Sequence, residues 1–235
     1  MLRPAWHFHE TFGPFEPSQG LCSARTFHER TVLELSAYVG LVAVGAVTLN
    51  LLLGMLMAFR YSPHRSWPHH RFNYFRLHNW SGYVALAVSL LHPAILLLNA
   101  ILLLNKDPRF RLLDLVYPVH SPSQPLENTI GAVALYLLAF VIVTSYLRLW
   151  LGRHLWKSFH FSIYFAAAAL FFHSLFTDPA LKGDRIDSFD GGKIFVESCF
   201  MLIAVVSLLR WRYARQKALH LFKVPGQPAA STEPR

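Results

Sequence analysis

The sequence predicts an all-α membrane protein, a polytopic helical bundle with five transmembrane helices. Hydrophobic residues make up 54% of the 235-residue chain and charged residues only 15%. A compact soluble domain of this composition would leave too much apolar surface in contact with water. The apolar residues are also gathered into blocks of about 20, the number that a helix needs to cross about 30 Å of hydrocarbon.

Five apolar blocks provide the predicted spans, and the segments between them hold the Pro, Asp, Lys and Arg clusters typical of loops outside the membrane. The blocks are Leu35–Phe59, Trp80–Leu103, Ile130–Trp150, Ser158–Thr177 and Ile194–Leu209. We accordingly divide the chain into an outer N-terminal segment, 1–34, a transmembrane domain, 35–210, and a basic cytoplasmic tail, 211–235.

The positions of the basic residues predict the orientation. A formal net charge of +9 would suit a nucleic-acid-binding protein, but in a membrane protein the distribution of Lys and Arg around the spans is more informative. The first and third loops are basic without an acidic residue and the tail is strongly basic, whereas the other segments mix both signs. The N-terminus is therefore expected outside and the C-terminus in the cytoplasm. We expect a multi-pass protein of a bacterial inner membrane that contacts lipid and no nucleic acid.

Four of the thirteen histidines lie within or at the ends of the second and fourth spans: His78, His92, His160 and His173. A polar ring at membrane depth is costly unless a partner uses its polarity, so these residues are functional candidates. Neutral imidazole is a good axial ligand for haem iron, and ligation would use that polarity. A single buried histidine is more often a packing residue, but four that meet in level pairs favour haem.

The spacing of the four histidines predicts two such pairs. His78 and His92 are 14 residues apart, and His160 and His173 are 13 apart, which is about 20 Å of helix in each case. Spans two and four run parallel, so an inner pair of His78 with His160 and an outer pair of His92 with His173 could each hold one b-type haem. A 13-residue step misses its starting helix face by about 140°. The fourth span must therefore bend, coil locally or present its ligands on different sides.

Several neighbours are candidates for the haem pockets. Gly82, one turn after His78, would let a porphyrin approach the backbone. Trp156 and Tyr164 could line the haem faces, although packing or an interfacial belt explains such aromatics at least as well. Arg76 belongs to the basic residues that set topology and could also contact a haem propionate, anionic lipid or a protein donor. In the second loop, the segment Pro108–Tyr117 has the mixed composition of an interfacial helix.

Two groups of motifs resemble the ferric reductase-like transmembrane domain. One group comprises Thr144-Ser145-Tyr146-Leu147-Arg148, Leu151-Gly152-Arg153, Trp156-Lys157-Ser158-Phe159-His160, Tyr164 and His173; the other comprises Leu77-His78, Gly82 and Leu91-His92-Pro93. That family includes the membrane parts of NADPH oxidases, ferric reductases and the haem subunit of a bacterial methionine sulfoxide reductase. The resemblance implies that electrons move from an inner-side donor, through two haems held by the four histidines, to an outer-side acceptor or protein partner.

The resemblance also bears on the electron donor. NADPH oxidases and ferric reductases commonly continue into FAD- and NADPH-binding domains, but the tail, 211–235, is too short for them and has no Gly-rich dinucleotide fingerprint. We therefore expect a separate flavoprotein carrying FAD or FMN, or a membrane quinol that leaves as quinone. The chain is accordingly interpreted as the haem subunit of an oxidoreductase, with no catalytic residue of its own identified.

Two other readings fit part of the pattern. A quinol-linked or b561-like cytochrome b would use similar histidine pairs without the Trp156 to Tyr164 motif. A haem-free transporter or assembly factor would line a proton or metal path with the four histidines. Against the second reading, the predicted spans contain no Asp and only one Glu, Glu197. A reduced-minus-oxidised absorption spectrum separates haem from no haem.

Overall fold

The computed structural model describes residues 18–58, 73–102, 112–121, 124–177 and 191–222, and side chains for most of these. Every regular element in these ranges is helical: α1 Ser18–Ala58, α2 Tyr74–Leu102, α3 Leu112–Val116, a 3-10 turn Pro118–His120, α4 Pro125–Tyr146, α5 Arg148–Phe161, α6 Ile163–Phe176 and α7 Gly191–Phe222. Five helical stretches are long and apolar enough to cross a membrane. The predicted fold class is confirmed.

Each span begins before the corresponding apolar block, and only the last span also ends after its block. They are Thr31–Ala58, Tyr74–Leu98, Pro125–Tyr146, Arg148–Phe176 and Gly191–Gln216. The predicted end of the third span at Trp150 is wrong, because α4 stops at Tyr146 and a turn at Leu147 directs the chain into α5. The proposed boundaries after residues 34 and 210 both fall inside continuous helices, α1 and α7.

The fourth span is built from two helices rather than one. Ser162 separates α5 from α6, and its amide and hydroxyl both bond the carbonyl of Phe159. Gly152 interrupts α5 nearer its start, with a φ of 73° that favours glycine. The turn at Ser162 lies between His160 and His173. It therefore changes the relative facing of the two histidines, which an unbroken helix would set about 140° apart.

The buried core lies at the centre of the bundle. Its members come from α1, α2, α4 and α6 and are mostly small or medium in size: Val47, Leu51, Ala85, Leu138, Val141, Ile163 and Ala166. Along the chain most of them lie between the levels of the inner and outer histidines, and Leu51 and Val141 lie at the inner level. Many large apolar side chains instead face outward, as expected where hydrocarbon is the solvent. The packing therefore holds α1, α2, α4 and α6 together at mid-depth and leaves the two histidine levels above and below it.

The second loop carries a short helix, α3, inside the segment predicted to be interfacial. Leu112, Leu113 and Val116 are more than two-thirds exposed, whereas Asp114 is buried. The hydroxyl of Tyr136 on α4 donates to the carbonyl of Leu115. The exposed apolar side chains point away from the bundle, as lipid contact requires, while residues 108–111 of the segment lie outside the described part.

Candidate functional site

The four histidines of the second and fourth spans meet in two pairs. The rings of His78 and His160 have centroids 6.1 Å apart and planes at 73°. Those of His92 and His173 have centroids 6.2 Å apart and planes at 72°. The turn at Ser162 thus allows both histidines of the fourth span to face those of α2. We call these the inner pair and the outer pair, following the predicted orientation.

The ring separation suits one metal ion held between each pair. Imidazole nitrogens bind metal ions at about 2 Å, so two rings on opposite sides of one ion have centres about 6 Å apart. Among the described residues no group of three or more His, Cys, Asp or Glu could hold a metal ion. A closed zinc site needs four protein ligands, whereas a haem supplies four ring nitrogens and needs only two axial imidazoles. The donor set therefore fits haem.

The hydrogen bonds to the rings leave each Nε2 without a hydrogen-bond partner among the described residues. Every hydrogen bond that the described residues make to these four rings is at Nδ1. For three rings the partner is a backbone carbonyl: Asn50 O for His78 at 3.1 Å, Ser36 O for His92 at 2.8 Å and Glu127 O for His173 at 2.8 Å. A carbonyl only accepts, so Nδ1 carries the proton and Nε2 keeps its lone pair. This is the tautomer that binds iron through Nε2, with its orientation fixed by the second bond.

Glycines let these three rings reach the helix carbonyls. In each case a glycine follows the accepting residue by four positions: Ser36 and Gly40, Asn50 and Gly54, Glu127 and Gly131. Helical side chains tilt toward the N-terminus, so a side chain four residues on would cover the carbonyl. A Cβ built at these glycines would lie 3.2 Å from His92, 3.1 Å from His78 and 2.7 Å from His173. We call this arrangement the carbonyl–glycine motif.

The inner pair is further fixed by Asn50. Its side-chain amide donates to the backbone carbonyl of His78 at 2.6 Å and to the hydroxyl of Ser81 at 2.8 Å. The backbone carbonyl of Asn50 accepts from the His78 ring. An amide in an apolar span is costly unless it is bonded. Asn50 therefore joins α1 to α2 at the level of the inner pair.

His160, the remaining ring, has a different partner. Its Nδ1 lies 3.2 Å from the hydroxyl of Ser145 on α4. The ring of Trp156, one turn earlier on α5, lies 5.3 Å away at a tilt of 31°. The orientation of this ring therefore depends on neighbouring side chains, whereas the orientation of the other three rings depends on backbone carbonyls.

The predicted neighbours take several positions. Gly82 faces α1, where an added Cβ would lie 3.4 Å from the Asn50 amide. Tyr164, one turn after His160, accepts a hydrogen bond from Arg210 on α7 at 3.3 Å. Arg76 is exposed in the first turn of α2, and its backbone amide is capped by Asn73 at 3.1 Å. Tyr164 and Trp156 thus lie one turn either side of the same histidine, while Gly82 serves helix packing.

Two buried polar atoms near the pairs have no protein partner. Among the described residues, Ser89 Oγ and Trp156 Nε1 are the buried side-chain polar atoms without a hydrogen bond. Ser89 precedes His92 by three positions and Trp156 precedes His160 by four, so each shares a helix face with a paired histidine. A buried donor without a partner calls for an explanation, such as a group bound beside it.

Sequence reasoning missed the residues that hold the rings. The sequence analysis does not identify Ser36, Asn50, Gly131 or the glycines of α1, and it includes Ser145 only as part of a motif. A signal was present in α1, where a polar residue followed by glycine four positions later occurs twice, 14 residues apart: Ser36 with Gly40, and Asn50 with Gly54. His78 and His92 have the same 14-residue spacing on α2, which packs against α1. Polar and glycine positions matched in this way indicate a second helix that serves both pairs.

Comparison with known families gives one match. Residues 39–171 match the ferric reductase-like transmembrane component family. The match includes His78, His92 and His160 and ends two residues before His173. No match was found among curated proteins or among solved structures. Since the family match covers more than half of the chain, this integral multi-pass membrane protein belongs to the ferric reductase-like transmembrane family of electron-transfer haem domains.

Proposed function

We propose that the chain holds two b-type haems and carries electrons from a cytoplasmic-side donor to an acceptor on the outer side. One observation carries the proposal: two imidazole pairs, with centroids 6.1 and 6.2 Å apart and hydrogen bonds only at Nδ1. His78 and His160 would hold the inner haem, and His92 and His173 the outer haem.

The protein's part is to hold, orient and insulate. Bound haem iron alternates between ferric and ferrous states and so supplies one-electron chemistry. The backbone carbonyls of Ser36, Asn50 and Glu127 fix three imidazoles as Nε2 ligands. The buried Trp156 Nε1 is a donor suited to a carboxylate such as a haem propionate. The apolar core between the two levels excludes water from the space that separates the pairs.

The donor side is the basic side. Arg148, Arg153 and Lys157 are exposed on α5, near His160, and residues 128–177 contain no acidic residue. Such a surface attracts an acidic partner and raises its encounter rate. We propose a separate flavoprotein with FAD or FMN as the donor, and quinol as the alternative. Arg71, another basic residue of the first loop, lies outside the described residues.

Haem content tests the proposal directly. We expect about two haems per protomer in the purified chain by pyridine haemochrome assay, and a b-type reduced-minus-oxidised spectrum. Replacing His92 with Ala should lower the content to about one. The matched control is His154→Ala, an exposed histidine of α5 outside both pairs, which should keep both haems. A wild-type chain without haem would overturn the proposal and favour a transporter or assembly factor.

Orientation is tested by cysteine labelling of a variant in which Cys22 and Cys199 are replaced. Val119, which is 62% exposed beside α3, should react as a cysteine with an impermeant reagent in intact spheroplasts. A cysteine at His154 should react only after permeabilisation. Labelling at position 154 in intact spheroplasts, with labelling at position 119 only after permeabilisation, would contradict a cytoplasmic-side donor.

A further inference from the structure

The three carbonyl–glycine motifs are placed with a regularity that predicts a fourth. On α1 the motif occurs twice, 14 residues apart, once for each histidine of α2. On α4 it occurs at Glu127 and Gly131, for His173. Fourteen residues further along α4 lie Val141 and Ser145. The fourth motif therefore falls opposite His160, with serine in the position that glycine occupies in the other three.

The serine changes the bond that the ring makes. In the other motifs the absence of a side chain lets Nδ1 reach a backbone carbonyl. At His160 the hydroxyl of Ser145 lies 3.2 Å from Nδ1, in place of a contact with the Val141 carbonyl. That carbonyl instead accepts from Thr144 Oγ1 at 3.1 Å. When Nε2 of His160 binds iron, Nδ1 carries the proton, so the ring then donates to a hydroxyl, which is a weaker acceptor than a helix carbonyl.

We propose that Ser145 is a positioning residue that sets the reduction potential of the inner haem through His160. This inference rests on the proposed function, since it assumes that His160 ligates haem iron. A strong acceptor at Nδ1 makes the imidazole a better electron donor and stabilises the ferric state, which lowers the midpoint potential. With the weaker hydroxyl acceptor, the inner haem has a higher potential than a carbonyl–glycine motif would give it.

The test is a potentiometric titration of the purified full-length chain, followed by haem absorbance. The wild type should resolve two components. Ser145→Ala removes the hydroxyl and still covers the carbonyl, so one component should move to higher potential. Ser145→Gly recreates the carbonyl–glycine motif, so the same component should move to lower potential. The other component should stay fixed in both variants.

Thr144→Val is the matched control. Thr144 is adjacent, buried and hydroxyl-bearing, but its hydroxyl bonds only carbonyls of its own helix, those of Phe140 and Val141. It should move neither component. Ser145→Thr keeps the hydroxyl and should stay closest to the wild type.

The outcomes separate this inference from the proposed function. A wild-type chain without two haems overturns both. Two haems with potentials that do not respond to Ser145, or that move in the same direction in the Ala and Gly variants, overturn only the role of Ser145. Should the Ala variant lose its inner haem, the direction of the shift in Ser145→Gly decides the question alone.

Discussion

The inner and outer pairs share a ring geometry but differ in what holds the rings. In the outer pair both imidazoles donate to backbone carbonyls at 2.8 Å, and both pack against glycines. The same nitrogens also have hydroxyl neighbours: Ser36 Oγ lies 3.0 Å from His92 Nδ1, and Thr177 Oγ1 lies 3.3 Å from His173 Nδ1. In the inner pair one ring has a carbonyl at 3.1 Å and the other only the Ser145 hydroxyl at 3.2 Å.

The difference indicates a division of roles. A backbone acceptor cannot be removed by substitution, so the outer ligands are fixed by the course of α1 and α4. In the inner pair only the His78 ring has a backbone acceptor among the described residues, whereas the His160 ring depends on the side chain of Ser145 and lies beside Trp156, whose indole nitrogen is buried. Under the proposed function, the inner pair, next to the basic surface of α5, would be the adjustable site where electrons enter, and the outer pair the fixed site where they leave.

The largest expected effect comes from removing one ligand of each pair in turn. His78→Ala should prevent donor-driven reduction of both haems, because the inner site is the proposed point of entry. His92→Ala should leave the inner haem reducible but reduce delivery to an impermeant outer acceptor to background. Absorbance of the haem bands and rate of acceptor reduction are followed together in proteoliposomes. A His92 variant that still serves the outer acceptor at the normal rate would disprove the two-haem relay.

Adding a methyl group at the glycines should expose the difference in packing. A Cβ at Gly131 would lie 2.7 Å from Cε1 and Nδ1 of His173, whereas a Cβ at Gly54 would lie 3.1 Å from Cε1 of His78. Overpacking of this kind costs about 1–3 kcal/mol. Gly131→Ala should therefore lose most of the outer haem, and Gly54→Ala a smaller share of the inner haem.

The control for both glycine variants is Gly191→Ala, where nothing lies within 4 Å of an added Cβ. It should retain two haems per protomer. Equal haem loss in the Gly131 and Gly54 variants would show that the outer site is no more tightly packed than the inner one.

How much the sequence predicts differs between fold and site. Five spans follow from apolar blocks because bilayer thickness fixes their length, and the fold class is confirmed. The histidine register follows from helical rise, so the sequence also brings together the two pairs that the structure contains. Their ligation of haem stays a prediction. The end of α4 was misplaced because Leu149 and Trp150 are apolar, although both are more than 85% exposed at the start of α5.

The ring-holding residues were beyond single-helix reasoning. The roles of Gly40 and Asn50 depend on which helix packs against α2 and at what rotation, and only tertiary structure supplies that. Ser162 gives no strong helix-stop signal. The break between α5 and α6 could therefore be expected only as one of several ways in which His160 and His173 could both face the second span. The 14-residue repeat in α1 was the one local sign of a second helix serving both pairs.

A moderate effect is expected from Asn50→Ala. The substitution keeps the backbone carbonyl that accepts from His78 but removes the amide bonds to the His78 carbonyl and to Ser81. Each such bond contributes about 0.5–1.5 kcal/mol. The inner haem should therefore be released at lower denaturant concentration while the outer haem is unaffected, as followed by Soret absorbance. Equal sensitivity of the two haems would mean that Asn50 stabilises the bundle rather than the inner pair.

The smallest effect is expected where a hydroxyl supplements a carbonyl. Ser36→Ala removes the hydroxyl 3.0 Å from His92 Nδ1 but leaves the carbonyl at 2.8 Å, and Thr177→Val does the same for His173, whose Glu127 carbonyl remains. Because each ring keeps its stronger acceptor, the outer haem should lose less than about 1 kcal/mol of binding free energy, and its midpoint potential should hardly move. Ser145→Ala, measured beside them, removes the only acceptor of its ring among the described residues and should give a clearly larger shift. If the Ser36 and Thr177 variants shift the outer potential as much as Ser145→Ala shifts the inner one, the carbonyls do not dominate the outer pair, and the contrast between a backbone-held and a side-chain-held site fails.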